Sequence, residues 1–131
     1  MGMYTEFIFG AMLKKDTPDE VIEILKSMSG LNEIYPEQLP DHALFKSDRW
    51  RALMTCCSAY FPVSSHAQMY KDEFFDCWVL SSRANLKDYG SEITLFCDWI
   101  KPYIKDGSGY NDIYGISIYE EDSTPTIYSL D

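Results

Sequence analysis

The hydrophobic period of this chain switches between two and about 3.6 several times, and that switching limits the fold more than any motif does. Residues 3–13 alternate. Tyr4, Glu6, Ile8 and Gly10 interleave with Thr5, Phe7, Phe9 and Ala11, which predicts a strand whose Phe7/Phe9/Ala11/Leu13 row faces a core. Lys14-Lys15-Asp16 ends it. The period then changes: Val21, Ile24, Leu25 and Met28 fall at i, i+3, i+4 and i+7, one helical stripe. Thr17, Pro18 and Glu20 have the form of a Thr-x-x-Glu capping box with proline at the first helical position. Gly30 is the expected stop, so the helix is placed at 18–29.

Residues 30–48 read as a long connection packed on the body, with a short helical turn at 41–46. Alternation returns over 49–62, where Leu53, Thr55, Cys57, Ala59 and Phe61 share a face and both faces are apolar, which predicts a central strand ended by Pro62. Strands at 66–71 and 74–82 would complete a three-stranded antiparallel meander. A second helix is predicted over 89–104. Asp88 would cap it, Ile93, Phe96, Cys97, Ile100 and Ile104 would line one face, and Pro102 would kink or end its last turn. Residues 112–119 alternate with Tyr114, Ile116 and Ile118 on one face, an acidic turn follows, and 126–129 pairs back. The expectation is one α+β domain over 1–131, in the order β-α-β-β-β-α-β-β. Its sheet is antiparallel, with both helices packed on one face.

The charge restricts partners. Twenty-one acidic against 11 basic residues give a net charge of −10. Phosphate backbones are polyanions, so counterion release offers little to such a chain, and direct nucleic-acid binding is disfavoured. The same charge suits contact with a basic protein that itself handles nucleic acid. Ten Tyr and three Trp exceed what a core of this size needs, so some rings are expected at the surface, where they favour binding. No apolar run has membrane-span length, and the first residues lack a signal-peptide pattern. A cytoplasmic location, in a host cell, and no membrane contact are expected. Cys56, Cys57, Cys77 and Cys97 have apolar neighbours and read as buried free thiols.

Chemistry-bearing motifs fail one by one. His42 and His66 with the four cysteines show no zinc-type spacing. Ser64-Ser65-His66 is adjacent in sequence only, without a nucleophile elbow. Gly107-Ser108-Gly109-Tyr110 follows a helix and leads into a strand, the reverse of a phosphate loop. Glu120-Glu121-Asp122 lacks the interleaved ligands of a calcium loop. The sequence therefore predicts no catalytic residue, no metal and no cofactor. Two basic spots interrupt the acidity: Arg49-Trp50-Arg51 at a strand start, and Arg83, Asn85 and Lys87 between a strand and a helix. With Tyr110 and the acidic Glu120, Glu121 and Asp122, these are the candidate binding residues, and the cations suit an anion or a partner's carboxylate.

Several segments also carry a resemblance. They are Met3-Tyr4-Thr5-Glu6-Phe7, Asp16-Thr17-Pro18, Ser82-Arg83-Ala84-Asn85-Leu86-Lys87, Trp99-Ile100-Lys101-Pro102-Tyr103, Gly107-Ser108-Gly109-Tyr110, Tyr119-Glu120-Glu121 and Pro125-Thr126-Ile127-Tyr128. Together the chain resembles a family of small uncharacterised phage and prophage proteins, with residues 30–48 the least similar. The resemblance implies a phage or mobile-element origin and transfers no catalytic residue. The expected function is non-enzymatic binding of a host protein, such as a nucleic-acid-handling defence protein that the chain inhibits. Alternatives are sequestration of a small molecule or nucleotide, with Trp50, Trp78 or Tyr110 stacking, and a homodimeric accessory or structural role.

Overall fold

The computed structural model describes residues 3–58 and 65–131. Strand β1, Thr5–Met12, is the centre of a five-stranded sheet. The hairpin β2, His66–Asp72, and β3, Cys77–Leu86, lies on one side of it, and β4, Ile113–Tyr119, with β5, Thr126–Ser129, on the other. The order is β2-β3-β1-β4-β5, with every pairing antiparallel.

Register places Phe7 opposite Ala84 and Ser117, Phe9 opposite Ser82 and Gly115, and Ala11 opposite Leu80. These residues share one face, and the predicted row of Phe7, Phe9, Ala11 and Leu13 is buried along its length. Both helices cover that face. The first, α1, Asp19–Ser29, buries Val21, Ile24, Leu25 and Met28. Its Lys26 ammonium sits 4.8 Å above the Trp78 ring. The second, α2, Glu92–Ile100, sets Phe96 edge-on to Phe9 and Phe7, with centroids 5.2 and 6.1 Å apart. Edge-to-face rings and interdigitated aliphatics make this one continuous core. The opposite face carries Ile8, Ile116 and Ile127 in register across three strands.

Several expectations are corrected. No capping box forms at α1. The Thr17 hydroxyl instead donates to the Lys14 carbonyl at 2.6 Å, closing the turn that leaves β1. Gly30 does stop the helix, at φ 87°. The central strand expected over 49–62 is absent among the described residues, and 59–64, including Ala59, Phe61 and Pro62, lie outside them. Residues Ala43–Lys46 and Asp48–Ala52 form consecutive 3₁₀ turns. Trp50 is fully buried beneath them, edge-on to Phe45 and Tyr35 at 4.9 and 5.3 Å. Leu53 and Met54, adjacent in sequence, are both buried in the turn that follows the second 3₁₀ turn. The segment instead touches the end of β3, where Asn85 N–H donates to Cys56 O at 3.0 Å. The expected meander is therefore a two-stranded hairpin.

Strand β3 runs to Leu86, past the end expected at 82, so 83–86 is strand and not the connection read from its polar residues. Pairing with β1, Leu86 to Thr5 through Val79 to Met12, holds it extended. Helix α2 starts at Glu92, later than expected, so its N-cap is Ser91 and not Asp88; Asp88 instead reaches the first turn from outside, its Oδ1 accepting from Ile93 N–H at 3.0 Å. Pro102 ends α2 early, inside a 3₁₀ turn over Lys101–Tyr103. In β4, a register shift between Ile113 and Gly115 turns Tyr114 into the core beside Phe9. Ile116 and Ile118 stay on the opposite face.

Candidate functional site

Three distant segments meet at the end of the sheet where β3 hands over to α2. Tyr4 precedes β1, Leu86 and Lys87 leave β3, Tyr89 and Glu92 open α2, and Arg49 comes from the second 3₁₀ turn. Around them is a cleft of about 330 Å³, which also touches Ala52 and Cys56. That volume lies at the small end of the range of ligand pockets.

The cleft combines two aromatic rings, two cations and one buried carboxylate. Arg49 Cζ lies 5.5 Å from the Tyr89 ring centroid and Lys87 Nζ lies 5.6 Å from that of Tyr4. Such cation–ring contacts hold long side chains at the wall of a site. Tyr4 is fixed by its backbone: its N–H donates to Glu120 Oε1 at 2.7 Å, and its carbonyl accepts from Glu120 N–H at 3.1 Å. Tyr89 is exposed.

Glu92 is the unusual member. Its side chain is 2 % exposed, and neither carboxylate oxygen has a hydrogen-bond donor among the described residues. Among the described residues its one ion pair is with Arg49 Nη1, 3.7 Å from Oε1, too long for a good hydrogen bond. A Cβ added at Gly90 would collide with Glu92 Oε2, so the carboxylate sits against the bare backbone of that glycine. A second pocket of about 400 Å³ shares the Tyr89 wall and contains Asp88, Asp122, Ser117 and Tyr128. Burial of Asp88 raises its pKa above the ordinary carboxylate value, while its hydrogen bond from Ile93 N–H opposes that rise.

Of the residues singled out in the sequence, Arg49 and Lys87 come together here. The others do not. Trp50 is enclosed in the core and offers no ring to a ligand. Arg51 lies over Tyr35, 5.0 Å from its centroid. Arg83 Nε donates to Glu6 Oε2 at 2.7 Å on the opposite sheet face, and Asn85 is buried. Tyr110 is 94 % exposed on the Gly107–Gly109 turn. Glu120 anchors Tyr4, Glu121 is exposed, and Asp122 joins the second pocket. Trp78 is half-buried against α1.

Tyr4, Tyr89 and Glu92 escape sequence reasoning. An acid in the first turn of a helix reads as an exposed partner of the helix dipole, and nothing local says that Glu92 is buried. A weak signal exists in Lys87-Asp88-Tyr89-Gly90, a charged and aromatic turn between a strand and a helix.

The thiols differ in setting. Cys57 is exposed and Cys56 half-buried, against the expectation of burial for all four, while Cys77 and Cys97 are enclosed. Burial pushes the Cys97 thiol up to about 12. Among the described residues, no group of His, Cys, Asp and Glu is placed to hold a metal ion, and no helix is long and apolar enough to cross a membrane. No protein-family model, curated protein or solved structure matches the chain.

Proposed function

We propose that this protein binds and sequesters a small anionic ligand with an aromatic ring, of the nucleotide class, in the cleft between Tyr4 and Tyr89. The supporting observation is the convergence of Arg49 and Lys87 from separate segments onto one aromatic-walled cleft, in a chain with few cations. The guanidinium and the ammonium pair with the anionic group, and the tyrosine rings stack on the flat one. Calorimetric titration with mononucleotides tests the proposal. Binding is expected, with Arg49→Ala and Lys87→Ala each weakening it several-fold. Lys46→Ala, which removes an exposed cation that does not line the cleft, leaves it unchanged. Equal losses in all three variants would reduce the effect to net charge.

A second reading is capture of a basic host protein, and one feature favours it. At the tip of the β2–β3 hairpin, Phe74 is 88 % and Phe75 43 % exposed, their rings 4.9 Å apart, between Asp72, Glu73 and Asp76. Aromatic anchors ringed by charge are common at protein interfaces. Under this reading, capture weakens as salt rises and is lost in Phe74→Ala/Phe75→Ala.

A further inference from the structure

Resting on the nucleotide reading of the same cleft, we infer that Glu92 selects guanine, reading its Watson–Crick edge. The carboxylate is buried, holds two acceptor oxygens unfilled by any donor among the described residues, and belongs to the wall of the cleft. A buried charge without hydrogen bonds is costly, so a ligand that supplies donors gains more here than at an exposed acid.

The surroundings narrow the donor. An alkylammonium or guanidinium ligand would bring a third positive charge beside Arg49 and Lys87. A neutral donor avoids that repulsion, and a carboxylate takes two parallel N–H groups best. Among the nucleobases, guanine alone presents two adjacent donors, N1–H and the N2 amino group, on that edge. Adenine sets the N1 lone pair beside its amino group, and cytosine does the same with N3. Uracil has one N–H between two carbonyls. Each of these three turns an acceptor toward Glu92.

Arg49 makes the exchange feasible. Its side chain is 55 % exposed and contacts Glu92 at 3.7 Å, a loose pair that a better donor displaces. Once displaced, the guanidinium is free to meet the phosphate alongside Lys87. Gly90 keeps the carboxylate in place, because any larger residue there would push Oε2 away.

The test compares GMP, IMP, AMP and inorganic phosphate by calorimetric titration on the full chain. IMP keeps N1–H and lacks the amino group. GMP is expected to bind about tenfold or more tighter than AMP, with IMP between them, because the unmatched acceptor leaves Glu92 unpaired. In Glu92→Gln the GMP preference collapses while AMP affinity holds. Equal affinity of the wild-type chain for GMP and AMP overturns guanine selection and leaves the nucleotide proposal standing. A tighter AMP complex does the same. Failure of every nucleotide to bind overturns both. The comparison of ligands on the wild-type chain decides the matter even if the variant does not fold.

Discussion

Glu92 Oε1 lies 3.7 Å from Arg49 Nη1, yet one side chain is 2 % exposed and the other 55 %. The pair is therefore asymmetric. Losing Arg49 leaves a buried carboxylate without its cation, whereas losing the charge on Glu92 leaves a guanidinium that water can solvate. Arg49→Ala is expected to destabilise the fold by about 1–3 kcal/mol, the scale of a buried polar group left unpaired. In a Glu92→Gln background the same substitution should cost much less. Urea unfolding of the two single variants and the double variant closes the cycle. Equal costs in both backgrounds would show that the two side chains are not coupled.

Gly90 tests the position of the same carboxylate by a different route. A methyl group at Gly90 meets Glu92 Oε2, the far end of a flexible side chain at the wall of the cleft, so the carboxylate must shift to make room. Gly90→Ala is expected to cost about 1 kcal/mol, the low end of the penalty for overpacking. Combined with Glu92→Ala, which removes the obstructing atoms, Gly90→Ala should be close to neutral. A cost that persists in the double variant would trace to the backbone and not to the carboxylate.

The contrast between these residues and Phe7 explains what the sequence reveals. Phe7, Phe9 and Ala11 are buried because β1 is central, and alternation records that locally; the Ile24/Leu25/Met28 stripe records its helix in the same way. Segment 49–58 offers no such record. Its apolar residues suit a strand, but Trp50 is held by Phe45 and Tyr35 from the preceding connection, a tertiary contact that overrides the local pattern. The cleft is less legible still. Tyr4, Arg49, Lys87 and Glu92 meet only because β1 pairs with the end of β3 and the 3₁₀ turns pack beside α2. No spacing along the chain encodes that meeting.

The four thiols should separate by reactivity in the folded state. Cys57 is exposed and should react first with an aromatic disulfide reagent at neutral pH. Cys56 should follow more slowly, since partial burial raises its pKa, with the neighbouring Cys57 adding to the rise and Lys87 opposing it. Cys77 and Cys97 should react only on unfolding. Because Cys56 touches the cleft, a bound nucleotide should slow its labelling and leave Cys57 unaffected. Protection of both or of neither would separate the cleft from the ligand.

Alkaline pH should expose the cost of burying Cys97. Burial raises its thiol from 9.0 to about 12, with a hydrogen bond to Tyr114 opposing the rise. The folded state therefore keeps a proton that the unfolded state has begun to release above pH 9. Stability depends on the difference in bound protons, so this contribution is fully present below pH 9 and is lost as pH rises toward 12. Tyr114 and Tyr128 are raised in the same direction, chiefly by burial, but start from 10.0, so the onset of the loss belongs to the thiols, Cys97 with its large rise and the partly buried Cys56. Cys97→Ala removes the titrating group and should flatten the decline between pH 9 and 10, at the cost of a small cavity beside Tyr114. Urea midpoints across that interval give the measurement. An unchanged slope in Cys97→Ala would assign the alkaline loss to Cys56 and the tyrosines.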